Sequence, residues 1–255
     1  MQKKTLMRLA TGLAALATVA GAHAFQVTYD YAVPLDGSAK TSRLVGQSNT
    51  NTGNVFVETF DLPGGGGGIN TPSNLVEVTT VSGGGFGIAQ GSVTGAYAAP
   101  AGNSTYYAYG PRQGSGSTTA EVNLNYRNLL QGLGDNASLN YLGLYYGSID
   151  TYNDLIFYNR AGQVITTVTG TQLINLFNGI SGNQTADSSN IYVNLFFDAS
   201  EEFSSFSFRT TAPAFEMDNL VVGYQVPNPV PEPGSLALIG LGLAGLAVAR
   251  RRQRG

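Results

Sequence analysis

The chain has no cysteine, no tryptophan and one histidine, His23, in 255 residues. Without cysteine there is no disulfide framework, no thiolate-held zinc or iron–sulfur site and no thiol nucleophile. His23 lies in a segment expected to be cut off, so the mature chain has no imidazole for a Ser–His triad, a metal or acid–base work. Charge is scarce too: 11% of residues are Asp, Glu, Lys or Arg, against about 25% in an ordinary soluble domain. It is also unevenly placed. Residues 25–230 hold six basic and fifteen acidic residues, a net of −9, and the chain as a whole is only −3 because both ends are basic. A body without clustered cations does not bind nucleic acid by neutralising phosphates.

The ends carry apolar runs with basic flanks. Residues 1–24 combine Lys3, Lys4 and Arg8, an apolar stretch at 9–20 and the small-x-small sequence Ala22-His23-Ala24. That order reads as a secretory signal peptide cleaved between Ala24 and Phe25. The alternative is an N-terminal membrane anchor, for which the apolar run is short. At the other end a Pro-rich linker, residues 227–233, contains Pro231-Glu232-Pro233. It leads into an uncharged stretch at 234–249, then Arg250, Arg251, Arg252 and Arg254. As a helix, residues 235–249 would rise roughly 22 Å at about 1.5 Å per residue. This is less than the ~30 Å hydrocarbon core, so a single transmembrane helix here needs snorkelling arginines or local thinning. The positive-inside rule keeps the basic tail, 250–255, cytoplasmic. Pro231 and Pro233 fix φ and disfavour helix in the residues before them, so the linker is extended. Glu232 is the one charge there for a recognition pocket to read. An ordinary single-span anchor on a proline-rich stalk is the alternative.

Between the ends, residues 25–226 are rich in strand signals. Residues 25–33 alternate apolar and polar, and 55–60, 75–81, 120–126, 155–158, 164–168, 191–197, 203–208 and 217–224 also read as strands. Residues 139–146 are apolar on both faces and read as a central strand. Asn159-Arg160-Ala161-Gly162 is a hairpin turn, and the five glycines 64–68 read as a mobile loop. Helix signals are few. Residues 171–178 place Leu173, Ile174 and Phe177 on one side, with Thr171 as a candidate N-cap and Gly179 as a stop. About ten strands with one short helix predict a mainly β fold, a jelly-roll-like β-sandwich.

The C-terminal arrangement of Pro231-Glu232-Pro233, Gly-rich apolar span and terminal arginines resembles the PEP-CTERM sorting signal of Gram-negative bacteria, also catalogued as an ice-binding-protein C-terminal domain. The resemblance covers about the last 25 residues. It implies recognition by an exosortase, a membrane cysteine transpeptidase. Cleavage near Pro-Glu-Pro would then release or re-anchor the protein at the cell surface or in extracellular polysaccharide. Residues 145–153 and 214–220, the latter reading Ala-Phe-Glu-Met-Asp-Asn-Leu, are similar to the sandwich domain of other PEP-CTERM surface proteins. That likeness implies a surface β-sandwich and no particular activity.

Carboxylates are the only acid–base groups in quantity. Glycoside hydrolysis needs two of them at a set separation, and Glu58, Glu77, Glu121 and Glu216 fall on strands. With no tryptophan to form a sugar platform, solvent-facing strand positions are the plainer reading. Calcium needs only oxygen ligands. Glu58 and Asp61, near the start of the body, and Asp218, near its end, form a candidate calcium site, and Asp150-Thr151-Tyr152-Asn153-Asp154 is a second acidic loop. The tyrosine clusters 106, 107, 109 and 145, 146, 152 suit either packing between sheets or a sugar-binding face. Asp218 and Asn219 are expected to bond local backbone. The expectation for the whole is an exported, non-catalytic surface or matrix protein with structural or adhesive work, processed by exosortase. The alternative is a surface carbohydrate-binding module, with calcium as an optional stabiliser and extracellular polysaccharide as partner; a hydrolase comes third.

Overall fold

A computed structural model describes residues 25–134, 136–198 and 201–226. The signal peptide up to Ala24, the linker with Pro231, Glu232 and Pro233, the apolar stretch 234–249 and the arginine tail lie outside the described residues. Among the described residues, no helix is long and apolar enough to cross a membrane.

Alternation of apolar and polar side chains sets the strands. They are β1 (Gln26–Thr28), β2 (Val55–Glu58), β3 (Glu77–Gly83), β4 (Gly87–Gln90), β5 (Tyr106–Gly110) and β6 (Ala120–Asn125). After helix α1 (Arg127–Leu133) come β7 (Ser138–Gly147), β8 (Asn153–Tyr158) and β9 (Val164–Thr169). Helix α2 (Gly170–Phe177) precedes β10 (Ile191–Phe196), β11 (Ser205–Thr210) and β12 (Phe215–Gln225). All pairings between these strands are antiparallel. One sheet runs β1-β10-β7-β12-β5-β4, with β2 pairing β12 beyond the end of β5; the other runs β3-β6-β11-β8-β9. From β5 to β12 successive strands alternate between the sheets, except that β8 and β9 form a hairpin within the smaller one. The resulting inner orders, 10-7-12-5 and 6-11-8-9, are those of a jelly roll. The expected sandwich is therefore present, with four strands added to these eight: β1, β3 and β4 at the margins and β2 beside β12. The margins of the larger sheet are blunted by brevity, since β1 has three residues and β4 four.

The space between the sheets is filled mainly by Phe and Leu. Phe157 lies 4.7 Å from Phe197, 5.1 Å from Phe203 and 6.1 Å from Phe206, ring centroid to centroid. Removing each such side chain from water stabilises the fold by about 2–3 kcal/mol. β7 accounts for its two apolar faces. Leu142, Leu144 and Tyr146 enter the inter-sheet core, while Tyr141 and Tyr145 point the other way and pack with Val45, Val57, Tyr192 and Val221. The outer face of the larger sheet is thus roofed by the chain segments around residues 36–49 and 98–105, and a second, smaller core lies beneath that roof. Between Tyr141 and Tyr145 the strand has Gly143, where a Cβ would sit 2.2 Å from the Tyr141 hydroxyl and 2.6 Å from that of Tyr192. The glycine leaves room for these two phenols to cross.

Several local expectations are revised. Strand β1 ends at Thr28, and Tyr29, Tyr31 and Val33 are exposed. The chain leaves the sheet there and re-enters pairing only through the Ala32–Thr41 bridge. The fold has two α-helices where one was expected. The period-2 pattern of β6 ends at Tyr126, and α1 follows at once with only seven residues, of which Leu129 and Leu130 are buried, too short to show a helical period. Helix α2 is capped by Thr169 rather than Thr171. The Thr169 hydroxyl accepts from the Gln172 N–H at 3.2 Å, and the Gln172 side chain accepts from the Thr169 N–H at 2.9 Å, a reciprocal box that Thr171 has no residue to form. The glycine run is folded into a closed turn: Gly65 N–H donates to Leu62 C=O, Leu62 N–H to Gly66 C=O and Gly68 N–H to Phe60 C=O. Gly64, Gly65 and Gly66 all have φ above +90°, a region open to glycine alone. The Asn159–Gly162 hairpin forms as expected, with the Asn159 side-chain oxygen accepting from Ala161 and Gln163 N–H.

Candidate functional site

The last strand carries the most concentrated polar chemistry of the body. In β12, Phe215 and Met217 enter the inter-sheet core, so Glu216 and Asp218 face the roof. Pairing of β12 with β7 shifts register between Asp218 and Val221, and Asn219 takes a left-handed conformation at φ 46°. Asparagine tolerates that conformation better than other non-glycine residues, and the bulge turns its amide out of the ladder. The Asn219 amide then holds the N-terminal segment. Its NH2 donates to Ser38 Oγ and Lys40 C=O, each at 2.7 Å, and its oxygen accepts from Asn49 Nδ2 at 2.7 Å. The Asn219 main-chain carbonyl accepts from the Tyr192 hydroxyl at 3.0 Å. Asn219 therefore serves residues far away in sequence, not the neighbouring backbone expected of it. Asp218 does serve its neighbour, accepting from Asn219 N–H at 2.6 Å, and it also accepts from Asn103 Nδ2 at 2.7 Å.

Glu216 is 2% exposed. One oxygen accepts from Ala98 N–H at 2.9 Å and the other from Ser148 Oγ at 3.0 Å. Burial pushes its carboxyl up to about 7; nearby Asp150 adds to the rise, and the two donors oppose it. Asp218 is raised well above the usual carboxylate range, by burial first and by Asp61 and Asp36 in addition, against the donors Asn219 and Asn103. Glu58 is raised by burial even though its oxygens accept from Phe60, Asn70 and Thr71 N–H at 2.8–2.9 Å.

The candidate calcium residues are brought together only in part. Asp61 and Asp218 lie within electrostatic reach of each other and of Asp36. Glu58 instead spends its carboxylate on the backbone of the turn that follows β2, and one Asp61 oxygen accepts from Tyr106 N–H at 3.1 Å. Among the described residues, no group of three or more His, Cys, Asp or Glu is arranged to hold a metal ion. In the second acidic loop, Asp150 accepts from Tyr152 OH at 2.6 Å and Ser181 Oγ at 2.8 Å, and Asp154 pairs with Arg209 at 2.6 Å. The candidate glutamates are likewise scattered. Glu58 and Glu216 belong to the larger sheet, whereas Glu121 lies on the smaller one beside Tyr158, and Glu77 is an exposed residue of its marginal strand.

The tyrosine clusters named from sequence are mostly interior. Tyr107, Tyr145 and Tyr146 have no exposure and Tyr109 has 6%. Burial pushes the hydroxyls of Tyr107, Tyr145 and Tyr146 well above the usual phenol value. Among the described residues, three surface clefts involve side chains named above or aromatic residues of the N-terminal segment. One of about 310 Å3 is lined by Ser148, Asp150, Tyr152, Gln184 and the segment 92–98, with Glu216 at its base. A groove of about 740 Å3 runs past Asp36, Asn49, Asn51, Asp61, Asn70 and Thr105. A third, of about 340 Å3, is lined by Tyr29, Tyr31, Lys40 and the end of α2. Sequence reading missed this last one because its aromatic residues alternate as a strand would.

Fold and polar hub together define an antiparallel jelly-roll module whose buried carboxylates hold loops onto a sheet. The chain's C-terminus adds a destination. Residues 229–252 match the PEP-CTERM protein-sorting motif, so this is an exosortase-targeted protein, exported to the envelope or surface of a Gram-negative bacterium. The match covers the tail and leaves the sandwich outside it. No curated protein and no solved structure matches the chain.

Proposed function

We propose that the sandwich is a non-catalytic module with structural and adhesive work, delivered to the cell surface or extracellular matrix by its processed tail. The sorting motif at 229–252 is the observation that carries this reading. In it, residues 1–24 are a signal peptide removed before Phe25. Residues 234–249 hold the precursor in the membrane as a helix, and Arg250, Arg251 and Arg252 keep the tail cytoplasmic. Exosortase reads Pro231-Glu232-Pro233 on the far side. The body's chemistry supports a passive role. Glu58 and Glu216 are committed to backbone and hydroxyl donors, and Glu121 is remote from both, so no two of these three share a site where a glycosidic bond would be flanked. Extracellular polysaccharide is the partner this reading names, favoured by two exposed tyrosines beside a cleft.

The test replaces Pro231-Glu232-Pro233 by three alanines in the full chain and follows it by cell fractionation. The expected result is an uncut precursor that accumulates in the inner membrane and is lost from the surface and matrix. Surface delivery and tail removal identical to the unaltered chain would refute it.

A further inference from the structure

Tyr29 is 65% and Tyr31 39% exposed. The strand that should have half-buried them stops at Thr28. Both line the cleft of about 340 Å3, whose other residues include Leu176, Phe177 and Asn178 at the end of α2 and Ile191 and Tyr192 of β10. The ring of Tyr29 meets Phe177 edge-on at 5.3 Å. Lys40 Nζ lies 5.0 Å from the Tyr31 ring centroid and donates to Asp187 at 3.1 Å and Asn190 C=O at 2.6 Å.

These features constrain the occupant. The volume is that of a small-ligand site. Exposed aromatic faces favour a flat apolar surface laid against them. The cleft's one cation and one anion are paired with each other, so its net charge selects neither an anion nor a cation. Yet polar atoms remain unspent. The Tyr29 and Tyr31 hydroxyls, the Asn178 amide and the second Asp187 carboxylate oxygen have no partner among the described residues. An acyl chain would leave these unsatisfied. A hexopyranose ring has the required pairing of features, an apolar C–H face and a rim of hydroxyls that donate and accept.

We propose that this cleft binds a neutral polysaccharide, with a hexopyranose ring stacked on the exposed tyrosines and its hydroxyls bonded to Asn178, Asp187 and the phenols. The proposal rests on the adhesive reading above and names its contact surface.

The test titrates the full chain, purified in mild detergent, with hexasaccharides of β-1,4-linked glucose, mannose and N-acetylglucosamine, by calorimetry. At least one is expected to bind. Tyr29→Ala should weaken that binding roughly tenfold at unchanged melting temperature. Asn178→Gly should weaken it several-fold, since glycine keeps the left-handed backbone at φ 52° and removes only the amide. Binding by none of the three sugars overturns the proposal, as does binding that both variants retain in full. The adhesive reading is scored separately, by retention of secreted protein on the producing cells' matrix. Equal retention of wild type and Tyr29→Ala leaves adhesion standing and removes this cleft. Sugar binding through Tyr29 without matrix retention does the reverse.

Discussion

Glu216 makes the stability of this protein depend on pH in a direction opposite to that of an ordinary salt-bridged carboxylate. Its carboxyl rises from 4.5 to about 7 because burial penalises the charged form more than Ala98 N–H and Ser148 Oγ reward it. A folded-state value above the unfolded one means the native state holds the proton more tightly. The resulting stabilisation is fully present below about pH 4.5 and is lost as pH rises through about 7. Between pH 5 and 8 the loss integrates to about 2–3 kcal/mol, or roughly 5–10 °C in Tm for a body of this size. Asp218, Glu58 and Asp61 are shifted the same way, so the wild-type trend contains more than one group. Glu216→Gln isolates this one. The amide keeps an oxygen for Ala98 N–H and turns its NH2 toward Ser148 Oγ, whose hydroxyl can accept. The assay is thermal melting of both proteins across pH 4–9. The two should converge near pH 5, separate between about pH 5 and 7 and stay apart above that, with the glutamine variant more stable by about 2 kcal/mol or more at pH 8. Parallel profiles across that range would refute the argument that burial of this carboxylate sets its proton affinity.

Asn219→Gly keeps the left-handed backbone and deletes the amide that bonds Ser38, Lys40 and Asn49, so chemical denaturation should show a loss of about 2–4 kcal/mol. A loss below 0.5 kcal/mol would mean that the roof is not held through this residue. Gly143→Ala forces two buried phenols apart and should cost about 1–3 kcal/mol by the same measurement. Adding Tyr141→Phe, which deletes the nearest clashing atom, should recover part of that cost. Calcium at millimolar concentration should leave Tm unchanged within about 1 °C, because Glu58 does not join Asp61 and Asp218 in one ligand set. A saturable rise in Tm would show that it does.

Strand periodicity carried much of the fold. In β6, Ala120, Val122 and Leu124 are buried while the residues between them are half-buried, as strict alternation requires. In β7 the two apolar faces announced two packed layers, although not that one of these would be a loop roof. The same rule failed at Tyr29 and Tyr31, whose alternation is that of a strand although the chain has already left the sheet. Alternation reports which side chains share a side, not whether a partner strand exists. Helix α1 was hidden for another reason: its seven residues are too few to display a 3.6-residue period.

Composition and local order determined the excluded chemistries, the sandwich class and the address written in the last residues, because each depends on residue type or on neighbours in sequence. Tertiary structure alone decided what the carboxylates do. Glu58, Glu216 and Asp218 are indistinguishable in sequence from solvent-facing strand residues. Their roles come from donors that folding brings to them: the turn after β2 for Glu58, and the remote Ala98 for Glu216 and Asn103 for Asp218. Burial, which sets both proton affinity and hydrogen-bond demand, comes from the roof over Glu216 and Asp218 and from inter-sheet side chains around Glu58, and is written in no single stretch of the chain.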